Sequence, residues 1–158
     1  MNIRTLTFVL SFAGLLATSI TPSFAAGGGS DDSGWADAKS TDLKAAVKLI
    51  RSEKYNEAQP FLQKTIKDDP KNADAFNMLG YSQRKMGNKD VALGYYTKAL
   101  DINPRHRRAN EYLGELYLEL KQPDKAKERL AVLDKSCFFG CDEFTVLKKA
   151  IETYEKSQ

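Results

Sequence analysis

The sequence predicts an all-α protein: an α-solenoid of three helix-turn-helix repeats closed by a C-terminal capping helix. Three observations predict it. First, small and large side chains recur every 34 positions, so that Ala46, Gly80 and Gly114 coincide, as do Ala58, Ala92 and Ala126. The large positions follow the same offset, with Leu49, Gln83 and Tyr117 in one series and Leu62, Tyr96 and Leu130 in another. Second, the punctuation suits helices: Pro70 and Pro104 stand 34 apart, and Gly87-Asn88 and Gln122-Pro123 mark turns. Pro123 falls at a first helical position, where its missing N–H costs nothing. Third, 42% apolar and 28% charged residues make an ordinary folded composition, too hydrophobic for a disordered chain.

Each segment can be justified in chain order. Residues 1–25 read as a signal peptide: Arg4 precedes an apolar run from Leu6 to Ile20, Pro22 breaks it, and Ser23 and Ala25 supply small residues for a peptidase cut after Ala25. The alternative is an uncleaved membrane anchor, against which the run falls short of the roughly 20 apolar residues a spanning helix wants; after cleavage no stable membrane span is expected. This leader places the protein in the periplasm, with secretion as the second choice. Residues 26–38, from Ala26-Gly27-Gly28-Gly29 to Asp31-Asp32, have no apolar periodicity and read as a flexible linker. Trp35 near its end either covers the first helix or contacts a partner.

The repeats occupy residues 39–72, 73–106 and 107–140. Within each, two antiparallel helices cross where a small residue such as Gly80 or Ala92 removes bulk, while Leu79 and Tyr96 fill the spaces beside that contact. One pair cannot bury its apolar faces alone, so stacked pairs share a core that needs closing at its open end. Residues 141–158 supply the cap, a helix from about Asp142 to Glu155. Phe144 takes a large position in it, Leu147 and Ile151 take core positions, and Lys148 replaces the small residue.

The pattern resembles the tetratricopeptide repeat over about two-thirds of the chain. The middle copy matches best, with Phe76, Leu79-Gly80, Ala92, Tyr96, Ala99 and Pro104, and departs only at Gln83, where an aromatic is usual. The first copy keeps Ala45-Ala46, Tyr55, Ala58, Leu62 and Pro70; the third keeps Leu113-Gly114, Tyr117, Ala126 and Leu130 but has Phe138 in place of proline. The resemblance implies a protein that binds a protein or peptide along a concave face and is no enzyme.

Charge and chemistry point the same way. A formal net charge of +3, or +2 once Arg4 leaves with the leader, falls short of what phosphate neutralisation needs, so nucleic acid is not an expected partner. The single histidine, His106, sits in the basic turn Arg105-His106-Arg107-Arg108, reads as a solvated residue, and has no relay for a catalytic triad. No Gly-rich phosphate loop precedes a helix, so no catalytic residue and no cofactor is assigned. Cys137 and Cys141 bracket the joint between the third repeat and the cap. In an oxidising compartment they are expected to pair as a structural disulfide; a redox dithiol, a metal-handling pair and free thiols are the alternatives. A metal site lacks the remaining ligands that zinc requires.

The resemblance implies a concave face lined by the first helix of each repeat. By offset, Leu43, Val47, Ile50 and Arg51 form an apolar wall, Asp74, Asn77, Tyr81, Arg84 and Lys85 a basic middle with one aromatic, and Arg108, Glu111, Glu115, Leu118 and Glu119 an acidic far wall. The candidate partner contacts are Asn77, Tyr81, Arg84, Lys85, Arg108, Glu111 and Tyr112. Some members of the family clamp a C-terminal carboxylate; the corresponding places here hold Leu43, Val47, Met78, Arg108 and Tyr112, of which only Arg108 fits. Self-association of the repeat is a further expectation to test.

Overall fold

A computed structural model describes residues 40–138 and 140–158. The expected leader, the linker with Trp35, and Phe139 lie outside the described residues. Among those described, the chain forms seven helices: α1 (Thr41–Arg51), α2 (Tyr55–Asp68), α3 (Ala73–Lys85), α4 (Lys89–Ile102), α5 (Arg107–Glu119), α6 (Pro123–Ser136) and α7 (Asp142–Lys156). Helices α1 and α2, α3 and α4, and α5 and α6 pack as pairs, and α7 lies against α5 and α6.

The two kinds of helix begin differently. First helices carry side-chain caps: Ser40 Oγ accepts the Leu43 N–H at 3.0 Å, and Asn72 Oδ1 accepts that of Ala75 at 2.9 Å. For α5 the cap is His106, whose Nδ1 accepts the Ala109 N–H at 3.2 Å. Second helices have no such cap. Their entry is set by the preceding turn, where Glu53, Gly87 and Lys121 all have left-handed backbone, with φ of 58°, 85° and 58°. The next residue's N–H then reaches back to close the preceding helix: Lys54 to Leu49, Asn88 to Gln83, and Gln122 to Tyr117, at 2.9, 2.9 and 2.8 Å. This is the 6→1 bond of a Schellman ending, repeated once per unit.

Small residues set the packing, in a way the sequence only half foretells. Ala58, Ala92 and Ala126 are each 0% exposed. At Gly80 the space is taken by a ring rather than by a crossing backbone: an added Cβ would lie 2.7 Å from Cδ1 and Cε1 of Tyr96. Gly114 faces out of its own repeat, and a Cβ there would lie 2.5 Å from Cδ2 of Leu147 in α7. The capping helix is thus received by the third repeat's glycine. Gln83, polar where an aromatic is usual, is buried in a network instead: its Nε2 donates to Gln59 Oε1 at 3.0 Å, and its Oε1 accepts from Asn88 Nδ2 at 2.8 Å.

Two apolar clusters result. One runs from Leu43 through Leu62, Leu79 and Tyr96 to Leu116; the other gathers Leu118, Ala126, Leu133, Leu147 and Ile151 beneath α7. Phe144 packs against the second, as its register demands. Helix α7 lacks a side-chain cap at Cys141. Cys141 is instead joined to Cys137, with Cα atoms 5.6 Å apart, so a covalent bond fixes the turn where Pro70 and Pro104 stand in the earlier repeats.

Candidate functional site

Helices α1, α3 and α5 lie side by side, so their common face is the inner face of the array. On α3, Asn77 and Tyr81 are one helical turn apart and share that face. Helix α5 contributes Arg108, Glu111 and Tyr112. The rings converge: Tyr81 and Tyr112 have centroids 5.0 Å apart, Tyr55 of α2 meets Tyr81 at 6.3 Å, and Tyr96 of α4 meets Tyr112 at 6.2 Å. Tilted rings at such distances match the quadrupole-favoured arrangements. One tyrosine from each of α2, α3, α4 and α5 therefore joins a run of rings that crosses all three repeats.

Charge sits against the two middle rings of this run. Lys85 is exposed, with Nζ 5.1 Å from the Tyr81 ring centroid, a cation–π distance. Arg108 donates from Nη1 to the Tyr112 hydroxyl at 3.1 Å. Glu111 is buried on the same helix. Asn77 is 1% exposed, and its Oδ1 accepts no hydrogen bond among the described residues. A buried carbonyl without a donor costs stability.

Arg84 has a different environment from the one its offset suggests. Its side chain is only 9% exposed, its Nε donates to Glu119 Oε1 at 2.8 Å, and Nη1 pairs with Glu115. Burial works against its charge, but Glu115, Tyr96 and Glu119 more than offset that, and its pKa is raised. Arg84 thus braces α3 against α5. The acidic far wall is correspondingly absent, because Glu115 and Glu119 are taken by Arg84 and Lys89, the latter 3.1 Å from Glu119, while Leu118 turns into the second cluster. The apolar wall is corrected too: Leu43, Val47 and Ile50 belong to the main core, and so do two of the candidate contacts, Tyr81 at 7% and Tyr112 at 2% exposure.

His106 is the other correction. Its side chain is 10% exposed, and beyond capping α5 it pairs through Nε2 with Asp74 Oδ1 at 2.9 Å. With Nδ1 accepting from the backbone, Nε2 carries the hydrogen that points at Asp74. A residue read as solvated is a link between repeats two and three. Tyr55 is the residue that sequence reasoning missed: it starts a second helix, so an offset rule confined to first helices passes over it.

Of the candidate contacts, Asn77, Tyr81, Lys85, Arg108 and Tyr112 fall together around the rings, with Glu111 beside them and Arg84 committed to the scaffold. Among the described residues, no group of three or more metal-capable side chains occurs, and no helix is long and apolar enough to cross a membrane.

Comparison with known proteins agrees with the geometry. Tetratricopeptide-repeat profiles match residues 61–93 and residues 83–136. The chain is 28% identical over 95 residues to Superkiller complex protein 3 of Mus musculus, a stretch that covers 60% of this chain but 6% of that much longer protein. Among solved structures, the type III secretion translocator chaperone SycD of Yersinia enterocolitica superposes with a TM-score of 0.63 at 19% identity, covering 72% of this chain and 81% of that one. PcrH, in complex with the chaperone binding region of PopD, gives 0.62 at 18% identity, with 73% and 86% covered. The first repeat domain of Spaghetti (RPAP3), bound to the HSP90 peptide SRMEEVD, gives 0.62 at 18%, with 71% and 89% covered. With the 34-residue register, the paired helices and these matches in agreement, the chain is a tetratricopeptide-repeat protein.

Proposed function

We propose that this chain is an exported, periplasmic adaptor that holds a segment of another protein along the inner face formed by α3 and α5, without catalysing a reaction. The observation that carries this reading is the pair of cations, Lys85 and Arg108, set against the adjoining rings of Tyr81 and Tyr112 where α3 meets α5. The buried rings tie the helices together beneath this face, and the adjoining cations Lys85 and Arg108 supply polar anchoring for a peptide. The folds of PcrH, seen with the chaperone binding region of PopD, and of RPAP3, seen with an HSP90 peptide, support a protein-holding role by analogy. Export rests on the order of charge, apolar run and small residues in the leader. The disulfide serves the cap rather than redox work, and it suits an oxidising compartment.

Capture from envelope extract tests the guest. Replacing Lys85 by Ala together with Arg108 by Ala should reduce recovery of captured proteins about tenfold, roughly 1.4 kcal/mol of binding, with the helical spectrum kept. An unchanged set of captured proteins would remove the assignment of this face. Mass in solution separates a second occupant: SycD also occurs in an alternative dimer, and concentration-dependent mass here would assign the face to a second copy. Export is tested by fusing residues 1–38 to alkaline phosphatase, which is active only outside the cytoplasm. An inactive fusion would end the periplasmic placement.

A further inference from the structure

The register that builds the repeats places Phe61, Tyr95 and Arg129 at one equivalent position, 34 residues apart. In the second repeat the ring of Tyr95 packs against the core. In the third a guanidinium stands at that position. Helices α4 and α6 both pack on α5 but not on each other, and between them lies a cleft of about 500 Å³. Its floor is apolar, made by Leu100, Pro104, Leu113, Tyr117 and Val132, while Arg105, Arg129 and Asp101 line it with charge. No residue of this cleft belongs to the inner-face group.

Arg129 is poorly served where it stands. Among the described residues its Nε is buried without a hydrogen-bond partner, and its one ion-pair neighbour is Glu128, 3.6 Å from Nη2 and beyond hydrogen-bonding reach. The side chain is 26% exposed, and a guanidinium fork is shaped to receive a carboxylate through two parallel bonds. Two cations against one anion give the cleft a positive balance. The volume suits a small molecule, and the floor requires that most of it be apolar.

We propose that the cleft between α4 and α6 binds a small apolar carboxylate, its head group paired with Arg129 and its tail lying over Leu100, Leu113, Tyr117 and Val132. The site is separate from the peptide-holding face and stands without it.

Isothermal titration of the purified chain with dodecanoate, below its micelle concentration, reads the site. One ligand should bind per chain, and dodecanol and dodecyltrimethylammonium should bind at least about tenfold more weakly, because neither satisfies the fork. Arg129→Met keeps the length of the stem and should lower dodecanoate affinity about tenfold. Arg129→Lys, which keeps the charge without the fork, should fall between. Val132→Trp, which fills the cleft, should block binding. Should Arg129→Met melt early, the Arg129→Lys and Val132→Trp arms decide. Absence of binding, equal affinity for the three head groups, or undiminished affinity in Arg129→Met or Val132→Trp would overturn the proposal.

Discussion

At the scale of single residues, the contact of Gly80 with Tyr96 shows how a missing side chain shapes the array. Tyr96 is 0% exposed and hemmed in by its neighbours, so its ring cannot yield to a methyl group 2.7 Å away. Gly80→Ala should therefore destabilise the protein by about 1–3 kcal/mol in denaturant unfolding, despite alanine's better helix propensity. If the variant were more stable, the ring would not be held as described. The Tyr96 hydroxyl supplies a second measurement. Burial first, against the counteracting charge of Arg84, lifts its pKa well above the ordinary 10.0. A value raised in the folded state means its contribution is intact below pH 10.0 and is lost as pH rises past that value, since unfolding then releases a proton. Stability should fall above that pH less steeply in Tyr96→Phe than in the wild type. Parallel curves would show that the hydroxyl does not sense folding.

At the scale of elements, each repeat uses the same Schellman ending but not the same residue to make it. Gly87 occupies the left-handed position in the second repeat without steric cost, whereas Glu53 and Lys121 hold φ of 58° with a Cβ in place. A non-glycine residue there costs on the order of 1 kcal/mol. Lys121→Gly should raise stability by up to about 1 kcal/mol, read from the denaturation midpoint at constant slope, with α5 and α6 unchanged. A loss of stability would mean that the Lys121 side chain contributes more than its backbone costs. The link from His106 to Asp74 and that from Arg84 to Glu115 and Glu119 are of another kind, because they tie one helix pair to the next. Such links fix how consecutive repeats rotate against each other, and so the curvature on which a binding face depends.

At the scale of the whole molecule, the array is open at its C-terminal end and α7 closes it. Leu147 is 0% exposed and reaches into the space over Gly114, so Leu147→Ala should cost about 2–5 kcal/mol and speed amide exchange in α6 before that in α3. Uniform acceleration across all helices would mean that the array unfolds as one unit. The Cys137–Cys141 bond closes a short loop, and by chain entropy its reduction should cost about 2 kcal/mol, with no effect on the pair Cys137→Ser and Cys141→Ser. An equal loss in that serine pair would point to the reductant and away from the bond.

The linear order of residues determined the repeat length, the helix pairs, the capping helix and the roles of Leu147 and Ile151 within it, because these follow from periodicity and from local punctuation that every copy repeats. It also offered Asn77, Tyr81, Arg108 and Tyr112 as contacts on one face, without showing that Tyr81 and Tyr112 are buried in the core. What it could not decide was which polar groups meet across the repeats. Arg84 and His106 look like surface residues in sequence, and only the stacking of α3 on α5 turns them toward Glu115, Glu119 and Asp74. Tyr55 joins the rings for the same reason, and Gly114 finds its partner in α7 rather than in its own repeat. Periodicity reports the face on which a side chain lies; the rotation between neighbouring repeats, a property of the packed molecule alone, selects what that side chain touches.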